Sequence, residues 1–350
     1  MKEGGRWKRY APITVVSIIL VAGLVVQAGP WKLADRLAGA DLGLVGWAIG
    51  LYLVAIAVRA LRWHLLLVAS EHRVRGGVVL SQYTVGQALN DLTPFRVVGE
   101  AARIWGVNQQ GGVPLGTGLA TVMAEKVMDL VLITTVLMAS VVVLFPDEPL
   151  RTWAPLAVIS GLVAAVNLTL IVVLRRPDIV QWGGGVSNRF ARRFRGGRYA
   201  GEVEKRVGRT IDSFDLARQH SRTASRSLVL AAAALTVPIW FLEFSRLMLI
   251  MAAVGVFPSL PAVVVASALA MTFQVFLPGG SGNVAVISDV FSGMGVALAT
   301  ATAAGLLSVA TSIWISVPLA LVALLLTGRN LRGRDLSGTP LAASDPSTGR

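Results

Sequence analysis

The chain has 350 residues, of which 54% are hydrophobic and 15% charged, and its formal net charge is +13. The mean hydropathy of +0.67 excludes an ordinary water-soluble domain, in which about 25% of residues are charged. The absence of cysteine excludes disulfides, thiolate metal sites and cysteine nucleophiles. Basic residues concentrate in alternate segments between apolar runs, as the positive-inside rule describes, so the positive charge requires no nucleic-acid partner.

Apolar runs of the length that crosses a bilayer, roughly 20 residues, recur along the chain. The first, residues 11–28, ends in a passable cleavage sequence but exceeds the ~7–15 residues of a signal-peptide core, so we expect an uncleaved span. Further spans are predicted at 42–58, 113–145, 153–174, 227–254 and before residue 328. Continuous apolar runs, not alternating strands, indicate an all-α polytopic membrane protein with about six full spans.

The charge of the loops predicts the orientation. Residues 1–10 and 59–75 each carry +3, whereas residues 30–41 and 145–152 carry 0 and −1. Because basic loops stay in the cytoplasm, we expect a multi-pass protein of the plasma (inner) membrane with both termini cytoplasmic.

The predicted transmembrane domain covers residues 1–327, and residues 328–350 are rich in Ser, Thr, Pro and Gly, which predicts a disordered cytoplasmic tail. Between the two halves, residues 175–226 contain thirteen Arg and Lys against five Asp and Glu. We interpret this stretch as a basic cytoplasmic segment that sets topology and links the halves. Its later part, about 202–226, could instead lie as a helix on the anionic inner leaflet.

Two polar interruptions require the chain to enter the membrane and return. Residues 78–108 begin and end on the predicted inner side, yet Pro94 breaks the stretch and it is too short to cross twice. Residues 261–295 begin and end on the outer side and are broken by "PGGSGN". We therefore expect two re-entrant, broken helix pairs. Paired interrupted helices in opposite halves are typical of transporter binding sites and raise the hypothesis of an inverted repeat.

The first break contains an unusual density of charge. Thr93 is a good N-cap and Pro94 suits the first helical position, so a helix is predicted to begin here with its positive dipole end facing the break. Arg96, Glu100 and Arg103 then share one helix face. If that face is exposed, they form a surface ladder worth about 0.2–0.5 kcal/mol per pair. If it is buried in the membrane, a functional site is indicated.

A second charged cluster, Glu125, Lys126 and Asp129, lies inside the apolar run 113–145. Like charges one turn apart repel unless a cation or a proton is shared. Two interpretations stay open, a role in ion coupling or pairing with an arginine from another segment (Arg59, Arg96 or Arg103). Glu243 and Arg246, three residues apart, most simply neutralise each other.

The glycine-rich break "PGGSG" (278–282) lacks the Lys-Ser/Thr of a nucleotide phosphate-binding loop. Its glycines permit a tight turn, which is either an anion nest or a simple re-entrant turn. The three histidines lack metal-ligand spacing, so neither a metal nor another cofactor is expected, and no catalytic residue is assigned. Asp35 is a weak candidate for the base of a membrane transferase.

Four motifs together resemble the lysylphosphatidylglycerol synthase transmembrane region family, the flippase-like membrane proteins. They are "RALRWHLLL" (59–67), "NDLTPFRVVGEAAR" (90–103), "EKVMD" (125–129) and "PGGSG" (278–282). The resemblance covers roughly residues 10–327. Lys126 stands where the family usually has arginine, and Ala285 where it usually has glutamate, so Asp289 is a candidate substitute.

The resemblance implies translocation of a phospholipid or lipid-linked substrate between leaflets, with membrane lipids carrying anionic or lipid-linked head groups as partners. It implies no synthase activity, because that chemistry belongs to a separate soluble domain for which we expect no room here. The alternatives are a membrane glycosyl- or aminoacyl-transferase acting on a lipid phosphate, and a non-transporting scaffold for envelope biogenesis. A homo-oligomer or a separate envelope enzyme is a further candidate partner.

Two groups of site residues are predicted. Residues at the two breaks are expected to bind substrate: Asn90, Pro94, Arg96, Glu100, Arg103, Pro278, Gly279, Gly280 and Gly282. Residues in the spans or beyond the glycine turn are expected to balance charge or couple ions: Arg59, Arg62, Glu125, Lys126, Asp129 and Asp289.

Overall fold

The computed structural model describes residues 7–93, 96–144 and 226–336, with a few isolated positions between 145 and 225. These ranges are all α-helical and contain no strand. The helices, numbered in chain order, are α1 (Trp7–Ala28), α2 (Pro30–Ala38), α3 (Leu42–Ala69), α4 (Gly76–Leu92), α5 (Val97–Gly111), α6 (Leu115–Leu144), α7 (Arg226–Ala234), α8 (Thr236–Ala253), α9 (Leu260–Phe276), α10 (Ser281–Gly293) and α11 (Leu298–Leu336). The predicted span 153–174 and nearly all of the basic segment 175–226 lie outside the described residues.

Three helical stretches are long and apolar enough to cross a membrane, namely α3, the α7–α8 stretch Arg226–Ala253, and Leu298–Leu326 of α11. Counting α1 and α2 as one bent pair raises this number to four. The expected six full spans are therefore not confirmed within the described ranges. One reason is α6, which has 30 residues but carries three charges in its middle.

The predicted first span, residues 11–28, lies within α1, and the chain bends sharply directly after it. Gly29, with φ of 81°, separates α1 from α2, and the two helices meet at 87°. Glycine tolerates this left-handed backbone, and Pro30 suits the first position of the new helix. The next helix is fixed by Asp41, whose Oδ1 accepts hydrogen bonds from the amides of Gly43 (2.8 Å) and Leu44 (3.1 Å).

Helix α3 is longer than the predicted span. It continues to Ala69, so Arg59 and Arg62 lie within a membrane-crossing helix and not in a cytoplasmic loop. The net charge of +3 assigned to the predicted loop 59–75 therefore included two arginines that form ion pairs inside the helix bundle. At the other end of the chain, α11 extends into the predicted tail as far as Leu336.

The first break separates α4 from α5, as predicted, but its local structure differs. Thr93 ends α4, because its Oγ1 donates a hydrogen bond to the carbonyl of Leu89 four residues earlier (2.6 Å). The prediction that Thr93 caps the following helix is therefore wrong. Helix α5 begins at Val97, with Arg96 before it in the left-handed conformation (φ 53°). Pro94 lies outside the described residues.

Helices α4 and α5 pack as a very close antiparallel pair. A Cβ atom added to Gly99 would lie 2.0 Å from the carbonyl oxygen of Gly86, and one added to Gly106 would lie 1.8 Å from Oε1 of Gln82. At Gly99 a larger residue would have to push the backbone of α4 away, whereas at Gly106 the side chain of Gln82 would have to move. The glycines therefore set the distance between the two arms of the first broken pair.

The second break separates α9 from α10 and is also a close hairpin. Gly279 and Gly280 have φ of 66° and 73°, the left-handed region that favours glycine. A Cβ atom on Gly282 would lie 2.8 Å from the carbonyl oxygen of Phe273. The two breaks also meet, because the amide of Gly279 donates a hydrogen bond to the carbonyl of Asp91 (3.1 Å).

Two apolar clusters support this arrangement. The larger joins α8, α9, α10 and α11, and includes Ile250, Val263 and Phe291. The smaller joins α3, α4 and α5, and includes Trp63, Tyr83 and Val107.

Candidate functional site

A cavity of about 430 Å³ lies where the two breaks meet. Its lining comes from α3, α4, α5 and α6 of the first half and from α8, α9, α10 and α11 of the second. Charged side chains of five helices converge on it, which explains why the sequence places charge inside apolar runs.

Glu125 is the centre of the deepest ion pairs, and it is only 1% exposed. Its Oε2 accepts a hydrogen bond from Nη2 of Arg103 (2.7 Å), and its Oε1 lies 3.4 Å from Nε of Arg62. Arg62 also donates through both terminal nitrogens to the carboxylate of Asp129 (2.7 and 2.9 Å). Glu125 and Asp129, one turn apart on α6, are thus bridged by Arg62, which relieves their repulsion.

Glu100 joins α5 to α6. Its Oε2 accepts from Nε of Arg103 (2.5 Å), and its Oε1 lies 2.7 Å from Nζ of Lys126 and accepts from Nδ2 of Asn90 (3.3 Å). The predicted pairing of Glu100 with Arg103 is present. The Glu100 and Arg103 side chains are 16% and 4% exposed, which does not fit the alternative of a surface ladder.

A second group of ion pairs joins α3 to α8. Oε1 of Glu243 accepts from Nη2 of Arg59 (2.7 Å), and its Oε2 accepts from Nε of Arg246 (3.2 Å). Arg246 also donates to the carbonyl of Ser308 (3.2 Å) and to Oγ1 of Thr311 (3.1 Å) on α11. The predicted Glu243–Arg246 pair is present, and the interhelical partner Arg59 was not predicted.

Asp91 in the first break is a buried site residue that sequence reasoning missed. Its carboxylate accepts from Nε2 of Gln87 (2.9 Å), Oγ of Ser316 (2.9 Å) and the hydroxyl of Tyr52 (3.4 Å). Nη2 of Arg96 lies 3.8 Å away. The sequence signal that could have identified Asp91 is its position directly after Asn90 in the same polar stretch.

Arg96 connects the two breaks through side chains. Its Nη1 donates a hydrogen bond to Oε1 of Gln274 near the end of α9. Gln274 stands four residues before Pro278, as Asn90 stands four residues before Pro94. The shared spacing therefore marks residues that line one cavity, although it gives no proof of a repeat.

Arg103 is held between two aromatic rings. Its guanidinium carbon lies 4.7 Å from the ring centroid of Trp63 and 4.9 Å from that of Tyr83. Cation–π contacts of this kind favour an arginine that has lost its water. They fix the guanidinium plane beside Glu100 and Glu125.

We call these charged residues the ion cluster, and its cations outnumber its carboxylates by one. The described part of the chain contributes six cations, Arg59, Arg62, Arg96, Arg103, Lys126 and Arg246. It contributes five carboxylates, Asp91, Glu100, Glu125, Asp129 and Glu243. Arg96 is the least neutralised cation, because its carboxylate partner is the most distant, at 3.8 Å.

Two buried polar atoms of the cavity lining lack a hydrogen-bond partner among the described residues. They are the donor Nη1 of Arg103 and the acceptor Oδ1 of Asn90. A buried polar group without a partner costs about 1–3 kcal/mol. A ligand that offers an acceptor to Nη1 of Arg103 would remove this cost at that atom, whereas Oδ1 of Asn90 lies against Gly99 in the interface between α4 and α5.

The sequence matches the family described as Lysylphosphatidylglycerol synthase TM region over residues 14–320. The chain belongs to this family. The resemblance found in the four motifs is thereby confirmed, and so is the assignment to a membrane protein, which the apolar helices support independently. No solved structure matches the chain.

Two similar relatives are both UPF0104 membrane proteins of Methanothermobacter thermautotrophicus. One is 28% identical over 317 residues, which cover 87% of this chain and 91% of the relative. The other is 24% identical and covers 77% of this chain and 79% of the relative. A shorter match, 26% identical over 119 residues, is to glycosyltransferase AglD of Haloferax volcanii and covers 34% of this chain and 19% of that protein.

The glycine-rich turn at residues 278–282 lies next to the cavity, but none of its residues lines it. Pro278 and Gly280 are buried and Gly279 is exposed, but the residues that line the cavity are the flanking Gln274 and Asn283. The turn therefore shapes the second break and joins it to Asp91. Of the remaining predicted residues, Arg62 and Glu125 lie behind the lining as partners of Asp129 and Arg103.

The position of the missing family glutamate does not face the cavity. Asn283 and Ile287 of α10 line it, whereas Ala285 and Asp289 do not. Two residues along a helix correspond to a rotation of about 200°, which places Ala285 and Asp289 on the other face. Asp289 is exposed, so the geometry gives no support to its suggested role as a substitute.

A second cavity, also about 430 Å³, lies beside α2 and is lined by Lys32, Asp35, Arg36, Ala297, Ala299 and Thr300. Its charged side chains are exposed. Within the described ranges, no group of three or more His, Asp or Glu side chains could hold a metal ion.

Proposed function

We propose that this protein translocates a phospholipid or lipid-linked molecule with an anionic head group between the leaflets of the plasma (inner) membrane. The observation that supports the proposal is the ion cluster around the cavity, with one surplus cation and an unpartnered arginine donor. An ionisable residue at the centre of a membrane helix costs at least about 2.5–3.5 kcal/mol. The ion cluster gathers eleven ionisable residues around one cavity, some of them within membrane-crossing helices, which apolar packing alone does not require.

The proposed head-group site is the region between Arg96 and Arg103. An arginine fork matches the oxygens of a phosphate and can donate two parallel hydrogen bonds. The N-terminus of α5, which begins at Val97 directly after Arg96, adds the positive end of the helix dipole. Glu100 orients Arg103 and Lys126, which leaves it no free oxygen for an amino head group.

The proposed route uses both breaks. In this proposal α4–α5 and α9–α10 are the two re-entrant pairs, one open to the cytoplasm and the other to the exterior, with both termini cytoplasmic. Each pair belongs to one half of a proposed inverted repeat, which is the arrangement of several transporter folds. The contacts of Arg96 with Gln274 and of Gly279 with Asp91 support a site at their junction.

Replacing Arg96 by glutamine should slow lipid exchange at least about tenfold, because a hydrogen bond to a charged group contributes about 1.5–3 kcal/mol. The measurement is leaflet exchange of labelled anionic lipids in liposomes that contain the purified protein. Asp289→Asn is the matched control, since this exposed acid lies outside the cavity. Exchange no faster than in empty liposomes for every lipid tested would contradict the proposal, and so would an unaffected Arg96→Gln protein.

The likeness to glycosyltransferase AglD favours a second candidate function, transfer chemistry on a lipid phosphate. The cavity beside α2 would be its site, with Asp35 as base and Lys32 and Arg36 as phosphate ligands. We expect Asp35→Asn to leave lipid exchange unchanged. The same preparation is incubated with a radiolabelled lipid-phosphate sugar donor, and sugar transfer that disappears in Asp35→Asn but persists in Arg96→Gln would favour the transferase.

A further inference from the structure

The two walls of the cavity differ completely in charge. Every charged lining residue belongs to α3, α4, α5, α6 or α8, or precedes α5 directly. The wall formed by α9, α10 and α11 contributes only neutral polar groups, namely Ser267, Gln274, Asn283, Ser308 and Ser312. A ligand that spans the cavity therefore meets charges on one side and amides and hydroxyls on the other.

No carboxylate of the ion cluster is available to a cationic ligand. Glu100, Glu125, Asp129 and Glu243 each lie within 2.7 Å of an arginine or lysine nitrogen. Asp91 already accepts three hydrogen bonds and has Arg96 at 3.8 Å. An ammonium group that approached Asp91 would be repelled by this guanidinium.

The charge balance matches one negative charge. With every group ionised, the six cations exceed the five carboxylates by one. A phosphodiester carries a single charge, whereas a phosphomonoester carries about −1.5 to −2 at pH 7. The cavity therefore fits a phosphodiester better than a terminal phosphate.

The neutral wall offers both donors and acceptors. Asn283 donates through Nδ2 to Oγ of Ser308 (3.0 Å), and its Oδ1 accepts no hydrogen bond within the described chain. Gln274 accepts from Arg96 through Oε1, which leaves its amide nitrogen as a donor. A hydroxyl group both donates and accepts, so hydroxyl groups can satisfy both positions.

We infer that the substrate is a lipid phosphodiester whose head group is uncharged and hydroxylated, such as a glycerol or a sugar, and that lipids with an amino head group are rejected. This inference rests on the proposed function and specifies its substrate. The phosphodiester binds on the Arg96 and Arg103 side, and the hydroxyl groups bind the amides of Gln274 and Asn283.

The test measures binding of short-chain lipids to the full-length protein in detergent. Dioctanoyl phosphatidylglycerol is compared with dioctanoyl phosphatidylethanolamine, which has the same phosphodiester and an amino head group. Phosphatidylglycerol is expected to bind at least tenfold more tightly. Equal affinities, tighter binding of phosphatidylethanolamine, or no binding of either lipid would overturn the inference.

A variant that changes the neutral wall tests the cause of the preference. Asn283→Asp adds a carboxylate of the same size and should reduce the ratio of the two affinities at least tenfold. Gln109→Glu makes the same chemical change at an exposed position of α5 outside the cavity, and it should leave the ratio unchanged. If Asn283→Asp remained folded, as judged by its circular dichroism spectrum, and the ratio of affinities were unchanged, the neutral wall would not be the cause of the preference.

Exchange of the same two lipids in liposomes separates this inference from the proposed function. Selective binding without exchange of either lipid would contradict translocation and leave the head-group class standing. Equal binding and equal exchange of both lipids would contradict the head-group class and leave translocation standing.

Discussion

Replacing Glu125 by glutamine is expected to lower the free energy of unfolding by about 3–5 kcal/mol, the usual cost of removing one partner from a buried ion pair. Glu125 is 1% exposed and lies between Arg62 and Arg103. The substitution keeps the side-chain shape but leaves Arg103 with Glu100 alone and removes one charge from the centre of the ion cluster. The measurement is thermal unfolding of both purified proteins in the same detergent.

Asp289→Asn is the matched control for this experiment, because it is also a change from acid to amide, at an exposed position of α10. It should unfold at the wild-type temperature. If Glu125→Gln also unfolded at that temperature, the deep ion pairs would contribute nothing to the fold, and their burial would need another explanation.

Replacing Gly99 by alanine should separate α4 from α5 and both destabilise the protein and stop lipid exchange. The new Cβ would lie 2.0 Å from the carbonyl oxygen of Gly86 and 2.3 Å from Oδ1 of Asn90. Overpacking costs about 1–3 kcal/mol, and more where backbone must move. Since Asn90 and Glu100 stand on the two separated helices, the cavity wall would be displaced as well.

Gly46→Ala provides the comparison. Gly46 lies in helix α3, and an added Cβ would meet no atom within 4 Å. Alanine in a helix is favoured over glycine by about 0.5–1 kcal/mol, so this variant should unfold at the wild-type temperature or above it and should exchange lipids normally. Wild-type exchange and unfolding temperature in Gly99→Ala would show that α4 and α5 can separate without consequence.

Most of the charged residues that line the cavity can be predicted from the sequence, because charge inside an apolar run has few structural explanations. Arg96, Glu100 and Arg103 were identified in this way, and so was the cluster at Glu125. The free-energy cost of an ionisable residue in a membrane depends on the segment that contains it, so it can be recognised from that segment alone. Both breaks were located for a related reason, since a short polar stretch between predicted spans cannot cross the bilayer.

The partners of these residues depend on tertiary structure and could not be predicted from spacing. Arg59 and Glu243 are 184 positions apart in the sequence and 2.7 Å apart in the fold. In the sequence, Asp91 is one polar residue among several. Only in the fold do Ser316 of α11 and Tyr52 of α3 donate hydrogen bonds to its carboxylate. Thr93 was assigned to the wrong helix because a threonine hydroxyl can cap the helix that follows or bond back to the helix that precedes.

The hydrogen bond from Gly279 to Asp91 joins the two breaks through main-chain atoms alone (3.1 Å). A main-chain bond is independent of side-chain identity, so a substitution at residue 91 keeps the carbonyl acceptor even when the carboxylate is lost. At residue 279 only proline removes the donor itself, although the φ of 66° favours glycine there. The junction can therefore stay the same in relatives whose cavity side chains differ, so the proposed head-group preference can change by mutation while the two breaks remain joined.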